Sequence, residues 1–145
     1  MGLNKIDEAY AAIDKEDYST AEAILSKYLK SEDRFDVRLG LGVCYFHKFS
    51  ETKDQSHLDT AIQHLEEARN NYDHHFDVHL ILGQCYSAKY FNTWDPAMKQ
   101  SAKNAYEQSR KFISTKKDFK KEDLEKRLRE LSEDLDKENP VSLQN

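Results

Sequence analysis

The side chains in this 145-residue sequence that are best suited to hold a metal ion are its six histidines. His75 and His79 lie four residues apart, so on a helix they would share one face and could share a metal ion. A zinc site needs further ligands, and the sequence around this pair marks no third one. We therefore predict no metal site and interpret the histidines as ordinary surface side chains.

Two cysteines, Cys44 and Cys85, are the candidate nucleophiles, and they lie 41 residues apart without a CxxC pair or a zinc-ligand spacing. They occupy the same place in two similar stretches, FDVRLGLGVCY and FDVHLILGQCY. Equivalent residues on packed helices are separated by about 8–10 Å or more, whereas a disulfide needs Cα atoms within about 7 Å. We predict two free, buried and poorly reactive thiols.

Sequence motifs for catalysis are missing. There is no Gly-rich phosphate loop, no GxSxG and no HExxH. The acidic residues Asp17, Asp54 and Asp95 precede predicted helices, and no isolated pair of carboxylates lies in an apolar setting. We predict that the protein is not an enzyme and uses no cofactor.

Composition favours a single helical domain. Hydrophobic residues make up 38% and charged residues 34% of the chain, while Gly (4) and Pro (2) are scarce. The net charge is −5, and Lys and Arg are dispersed apart from a short run between Lys116 and Lys121, so we expect no nucleic-acid binding. No apolar run is long enough to cross a bilayer, and the N-terminus does not resemble a signal peptide. We expect a cytoplasmic protein.

A repeat organises the chain. The stretch that begins at Phe35 is identical in eight of eleven positions to the stretch that begins at Phe76, and the similarity extends through a unit of 41 residues. The first half of each unit is apolar on most sides, which is typical of a buried helix. The second half has the spacing of a one-sided helix, carried in the first copy by Leu58, Ala61, Ile62, Leu65 and Ala68.

These residues resemble the tetratricopeptide repeat. Leu41-Gly42-x2-Tyr45 followed by Ala61-x3-Leu65 is similar to the Leu-Gly-x2-Tyr and Ala-x3-Phe pattern of that family, and the second copy repeats it. A weaker copy precedes them, with Ala21-x3-Leu25 as its small–large pair. The resemblance implies an all-α, right-handed superhelical stack of three helix pairs, at about residues 2–31, 34–72 and 75–113.

The sequence also departs from the family pattern. The Trp position holds Arg38 and His79, and the unit is about seven residues longer than the usual 34. The additional residues predict a longer first helix, a longer loop in SETKDQSH and NTWDP, or both.

The chain beyond residue 113 is highly charged and has a separate role. An apolar stripe predicts a helix at about 119–137 that covers the open end of the stack, with Phe119, Leu124, Leu128, Leu131 and Leu135 on the stripe. A coiled-coil or partner-binding arm is the alternative. We expect residues 138–145 to form a disordered tail.

The family resemblance implies a binding surface on the inside of the stack, formed by the first helices. We call its residues the inner strip: Tyr10, Ile13, Val43, Phe46, His47, Gln84 and Ser87. Leu39 and Leu80 are near it, but we expect them to belong to the core. The Lys and Asn residues with which some members of the family bind chaperone C-termini are absent, because Ile6, Tyr10, Leu39, Val43 and Leu80 take those positions.

The sequence therefore predicts a protein-interaction adaptor or scaffold that binds a peptide or helix of another protein, with Phe46 as its central anchor. Two alternatives remain open at this stage. One is a cytoplasmic chaperone for a secreted or membrane-inserting protein, and the other is a self-associating structural subunit, so that homo-oligomers are possible.

Overall fold

The computed structural model describes residues 4–137. This part of the chain is helical, without any β-strand, which confirms the all-α prediction. Its seven α-helices are α1 (Lys5–Asp14), α2 (Tyr18–Leu29), α3 (Phe35–Thr52), α4 (Gln55–Asn71), α5 (Phe76–Thr93), α6 (Pro96–Lys111) and α7 (Lys121–Asp134), with a 3-10 helix at Ile113–Thr115. The expected tail at 138–145 lies outside the described residues.

The chain forms two compact units, the first ending at Asp73 and the second beginning at His74. In the first unit, α3 packs against α2 and α4, and α1 packs against α2 and α3. In the second unit, α6 packs against α5 and against α7. No helix in residues 4–137 is long and apolar enough to cross a membrane.

In each 41-residue unit the two helices are long and the linker between them is short. Helices α3 and α5 have 18 residues each, and only two residues separate each of them from the next helix. Most of SETKDQSH is therefore helical, and the longer-loop alternative is wrong.

The same turn joins both long helix pairs. Thr52 Oγ1 donates to Lys48 O at 2.9 Å and accepts from Asp54 N at 3.2 Å, and Thr93 repeats both bonds at the same distances in the second unit. Between them, Lys53 and Trp94 adopt left-handed backbone conformations with φ of 61° and 56°. The turn is therefore specified by its Thr and Asp side chains and uses no glycine.

The predicted helix starts are confirmed by their caps. The carboxylates of Asp17, Asp54 and Asp95 accept hydrogen bonds from backbone N–H groups at the starts of α2, α4 and α6. Pro96 is in the first turn of α6, where the missing N–H leaves no bond unmade.

Glycines bring the helices of the first unit together. A Cβ at Gly42 would overlap the side chain of buried Leu65 on α4, so only glycine fits this close approach. Gly40 faces Leu25 of α2 in the same way. Helix α3 therefore approaches both neighbours closely, and Ala61 is fully buried at the side of α4.

The second unit repeats this packing and adds α7. Gly83 faces the ring of buried Tyr106, as Gly42 faces Leu65. Leu124, Leu128 and Leu135 are buried, as their stripe predicts. Phe119 is not on the covered stripe: α7 begins only at Lys121, and the Phe119 side chain is 56% exposed.

Candidate functional site

The inner strip residues lie on the first helices of the three predicted pairs. Tyr10 and Ile13 are on α1, Val43, Phe46 and His47 on α3, and Gln84 and Ser87 on α5. All seven are half-buried. Leu39 is buried, as expected, whereas Leu80 is half-buried and is not fully part of the core.

Tyr10 fixes α1 to the start of α3. Its hydroxyl donates a hydrogen bond of 2.7 Å to the carbonyl oxygen of Asp36, and its ring packs on the buried core of the first unit together with Ile13. This hydroxyl has a structural bond, so a partner would meet mainly the side of the Tyr10 ring.

His47 contacts two neighbours, Tyr18 and Glu51, that no sequence motif indicates. Its imidazole stacks on the Tyr18 ring with centroids 3.8 Å apart, and its Nε2 lies 3.0 Å from Glu51 Oε1. Tyr18 follows the cap residue of α2, and no local pattern links it to α3. His47 and Tyr18 therefore form one aromatic surface shared by two helices.

Val43, Phe46 and His47 share one face of α3, because they are spaced by three and four residues. The Phe46 ring lies 6.4 Å from the ring of Phe49, which is buried one turn further along. The face therefore presents an aromatic ring that rests on the core and is also partly open to solvent.

Ser87 has an internal partner in the second unit. Its Oγ lies 2.8 Å from the hydroxyl of Tyr106, and burial raises the pKa of Tyr106 to about 12. Ser87 therefore satisfies a buried hydroxyl, which gives it a structural role apart from any binding. Gln84 is half-buried one turn before it on α5.

A charged network connects helices of the first unit, and sequence reasoning missed it. The Arg38 guanidinium donates two hydrogen bonds of 2.9 Å to the Asp33 carboxylate, and its Nη1 lies 3.1 Å from His64 Nδ1. These hydrogen bonds hold the pKa of Asp33 below its usual value. Burial, together with the Arg38 charge, lowers the pKa of His64.

The same network continues to α2. Lys48 Nζ lies 2.8 Å from Glu22 Oε2 and 4.8 Å from the centre of the Tyr45 ring, and that ring stacks on His64. Burial alone would raise the pKa of Glu22, but hydrogen bonds from Lys48 and Tyr45 hold it below its usual value. Because each charge meets an opposite charge or a hydrogen-bond partner, we interpret the network as structural.

An aromatic cluster marks the end of α5. The rings of Tyr90, Phe91 and Trp94 lie 5.2–5.5 Å from one another, and Phe91 is 38% exposed. The signal in the sequence is the run KYFNTW, in which the three aromatic residues fall within one helical turn. The first copy has Phe49, Ser50 and Lys53 at these positions, so the cluster belongs to the second unit alone.

The remaining histidines have local contacts, and His79 is 3% exposed, so its interpretation as a surface side chain is wrong. His75 Nδ1 accepts from Asp77 N at 3.2 Å at the start of α5, and the ring of His79 stacks on Phe112. Within residues 4–137 no group of three His, Cys, Asp or Glu side chains is placed to hold a metal ion.

Both thiols are buried, as predicted from their equivalent positions. Neither cysteine is in a disulfide. Burial raises the pKa of Cys44 to about 12 and also raises that of Cys85.

No protein-family model, curated protein or solved structure matches this chain.

Proposed function

We propose that this protein is an interaction adaptor built of tetratricopeptide-like repeats, which binds a peptide or helix of another protein on the inner strip. The two 41-residue copies, with glycine and alanine at the same helix contacts, support the repeat assignment. The right-handed superhelical stack and the cytoplasmic location remain predictions.

One observation carries the binding site: the ring of Phe46 is half-buried on a face of α3 that also holds Val43 and His47. Other residues of α3 are buried, and they lie on several sides of the helix: Val37, Leu39, Gly40, Leu41, Gly42, Cys44 and Phe49. The Phe46 ring packs against Phe49 and can still offer apolar area to a partner.

The chemistry of this face suits an apolar side chain on a helix or extended peptide. Aromatic residues near the centre of an interface contribute about 2 kcal/mol or more when they act as hot spots. His47 and Tyr18 add a flat aromatic surface beside Phe46. We therefore assign Phe46 the anchoring role and the others a supporting role.

A thermal melt tests the assignment before any partner is known. Replacement of a fully buried Phe by Ala lowers the free energy of unfolding by about 3–5 kcal/mol. We expect a clearly smaller loss for Phe46→Ala, with helicity unchanged. Phe76→Ala is the matched control, because Phe76 is 1% exposed. Equal losses for the two variants would make Phe46 a core residue and remove it from the site.

Affinity capture from the source cell, followed by mass spectrometry, tests the function itself. We expect specific partners on the wild-type protein that bind Phe46→Ala about tenfold more weakly. Phe91→Ala is the control, since Phe91 is an exposed aromatic residue in the second unit. Unchanged capture by Phe46→Ala would rule out the inner strip as the working surface.

The two alternative functions predict different results for the purified protein and for its captured partners. A self-associating subunit would have a defined oligomeric mass in solution without any added partner. A chaperone would keep a captured secreted or membrane-inserting protein soluble, whereas an adaptor would not change the solubility of its partner.

A further inference from the structure

A cleft with a volume of about 380 Å³ lies in the second unit, where α6 ends and α7 begins. This volume is within the range of about 300–1,000 Å³ that is common for ligand sites. Its lining is mainly cationic: Arg110, Lys111, Ile113, Ser114, Lys116, Lys117, Phe119 and Lys121. We call it the basic cleft.

The wall of the basic cleft is fixed to the start of α5. Phe76 N donates to Thr115 Oγ1 at 3.2 Å, and that hydroxyl donates in turn to Phe112 O at 2.7 Å. Lys116 Nζ lies 2.9 Å from Asp77 Oδ2. The cleft is therefore built into the second unit, since two residues of its turn are bonded to α5.

Most of the positive charge in the basic cleft is not neutralised. Arg110 pairs with Glu107 at 3.0 Å and Lys116 pairs with Asp77, but Lys111, Lys117 and Lys121 have no carboxylate within 4.0 Å among residues 4–137. Cations held close together repel one another, so an anion placed between them is favoured.

The net charge of the segment around the basic cleft is opposite in sign to that of the rest of the chain. Residues 110–121 contain six of the 22 Lys and Arg and one of the 27 Asp and Glu, a net charge of +5, which leaves −10 on the other 133 residues. The basic cleft is thus a local positive site on an acidic protein.

Apolar groups are also present in the basic cleft. The Phe119 ring is 56% exposed, and Lys116 Nζ lies 5.2 Å from its centre. Exposed aromatic rings next to cations suit a ligand that combines negative charge with an apolar side chain.

We propose that the basic cleft binds a short acidic segment of a partner protein, with carboxylates at Lys111, Lys117 and Lys121 and an apolar side chain on Phe119. The proposal rests on the proposed function only in taking the ligand to be protein. The surface is a second one, separate from Phe46 and its neighbours.

Charge distribution favours a short peptide over a nucleic acid or an anionic membrane. Exposed charges interact over a Debye length of about 8–10 Å, so a short segment meets chiefly the cleft. A longer polyanion or a membrane plane would also face the acidic remainder, including Glu122, Asp123 and Glu125 directly after the cleft.

The test uses the full chain and a fluorescein-labelled short peptide of Glu and Leu, with a matched peptide of Gln and Leu. We expect saturable binding of the Glu peptide by fluorescence anisotropy, weakened by added salt, and much weaker binding of the Gln peptide. Lys117→Glu/Lys121→Glu should weaken binding by about tenfold or more. Phe119→Ala should weaken it by a smaller factor.

Lys126→Glu/Lys137→Glu is the control, because it makes the same charge change at exposed residues of the second unit outside the cleft. Equal weakening by both double variants would overturn the proposal, as would equal binding of the Gln peptide. Tighter binding of an oligonucleotide or of phosphatidylserine vesicles would assign the cleft to that class instead. Phe46→Ala should leave peptide binding unchanged, so failure of the inner strip and failure of the cleft are distinguishable.

Discussion

Phe46 and Ser87 occupy equivalent positions in the two copies of the repeat. The residue that faces the repeat glycine from the second helix also differs between the copies. The first copy has Phe46 on its first helix and Leu65 on its second helix. The second copy has Ser87 and Tyr106 at these positions. In the second copy the small side chain hydrogen bonds to the hydroxyl of the large one. The two positions therefore have to be considered together.

Loss of the Ser87 hydroxyl should destabilise the protein only while Tyr106 keeps its own. We expect Ser87→Ala to lower the free energy of unfolding by about 1 kcal/mol, because a buried hydroxyl loses its partner. In a Tyr106→Phe background the same change should have almost no effect. Urea denaturation of the four proteins measures this coupling, and equal losses in both backgrounds would contradict it.

The two thiols should react slowly in the folded protein. Their raised pKa values leave little thiolate at neutral pH, and Cys44 and Cys85 are 1% and 0% exposed. We expect an aromatic disulfide reagent to label both cysteines rapidly when the protein is unfolded in urea. In buffer, where the protein is folded, neither cysteine should be labelled rapidly. Rapid labelling of native protein would mean that the helices around α3 or α5 open readily.

At the scale of elements, the turn after each long helix is a place where the backbone is strained. Lys53 has a φ of 61°, and its N–H bonds to Phe49 O at 2.7 Å, as in a helix end that normally takes glycine. A non-glycine residue in this conformation costs roughly 1 kcal/mol. The strain is tolerated because Thr52 and Asp54 fix the turn on both sides.

Glycine at this position should relieve the strain. We expect Lys53→Gly to leave stability unchanged or raise it by up to about 1 kcal/mol, since relief of strain outweighs the added freedom of the unfolded chain. Lys53→Ala is the control, because it removes the same side chain and keeps the Cβ. Thermal melts compare the variants, and a less stable glycine variant would show that the turn is not strained.

Local signals explain why the helices were predictable and the contacts between them were not. Asp54 and Asp95 marked helix starts because a cap bonds within its own turn, and Gly42 and Gly83 marked close contacts because a repeat showed them twice. Arg38 reaches His64 across 26 residues, and nothing in the intervening chain indicates it. The exposure of Phe119 was also missed, since its place on an apolar stripe assumed that α7 began two residues earlier.

At the scale of the whole molecule, the carboxylates and histidines with shifted pKa values all act in one direction on stability. The pKa values of Glu22 and Asp33 are lowered, so their contribution is present above the unfolded values of 4.5 and 3.8 and is lost in acid. His64 also has a lowered pKa, so its protonation favours unfolding. Protonated His64 would place an N–H against the Arg38 guanidinium, because Nδ1 accepts in the present geometry.

Acid should therefore destabilise the protein before its carboxylates titrate. The contribution of His64 is present above its unfolded pKa of 6.5 and is lost as the pH falls toward the lower folded value. We expect the melting temperature to fall between about pH 7 and about pH 5, and His64→Gln to reduce that fall. Calorimetry at several pH values measures the melting temperature. An equal fall in the His64→Gln variant would contradict the assignment to His64.

The two-residue turns between long helices also bear on how fast the chain folds. Each pair closes a very short loop, and many of its contacts join residues that are near in sequence. The helix pairs should consequently form early, and substitution of Asp54 or Asp95 by Ala should slow refolding more than it speeds unfolding. Stopped-flow refolding in urea would place these turns in the rate-limiting nucleus or outside it, and a change confined to the unfolding rate would exclude them from it.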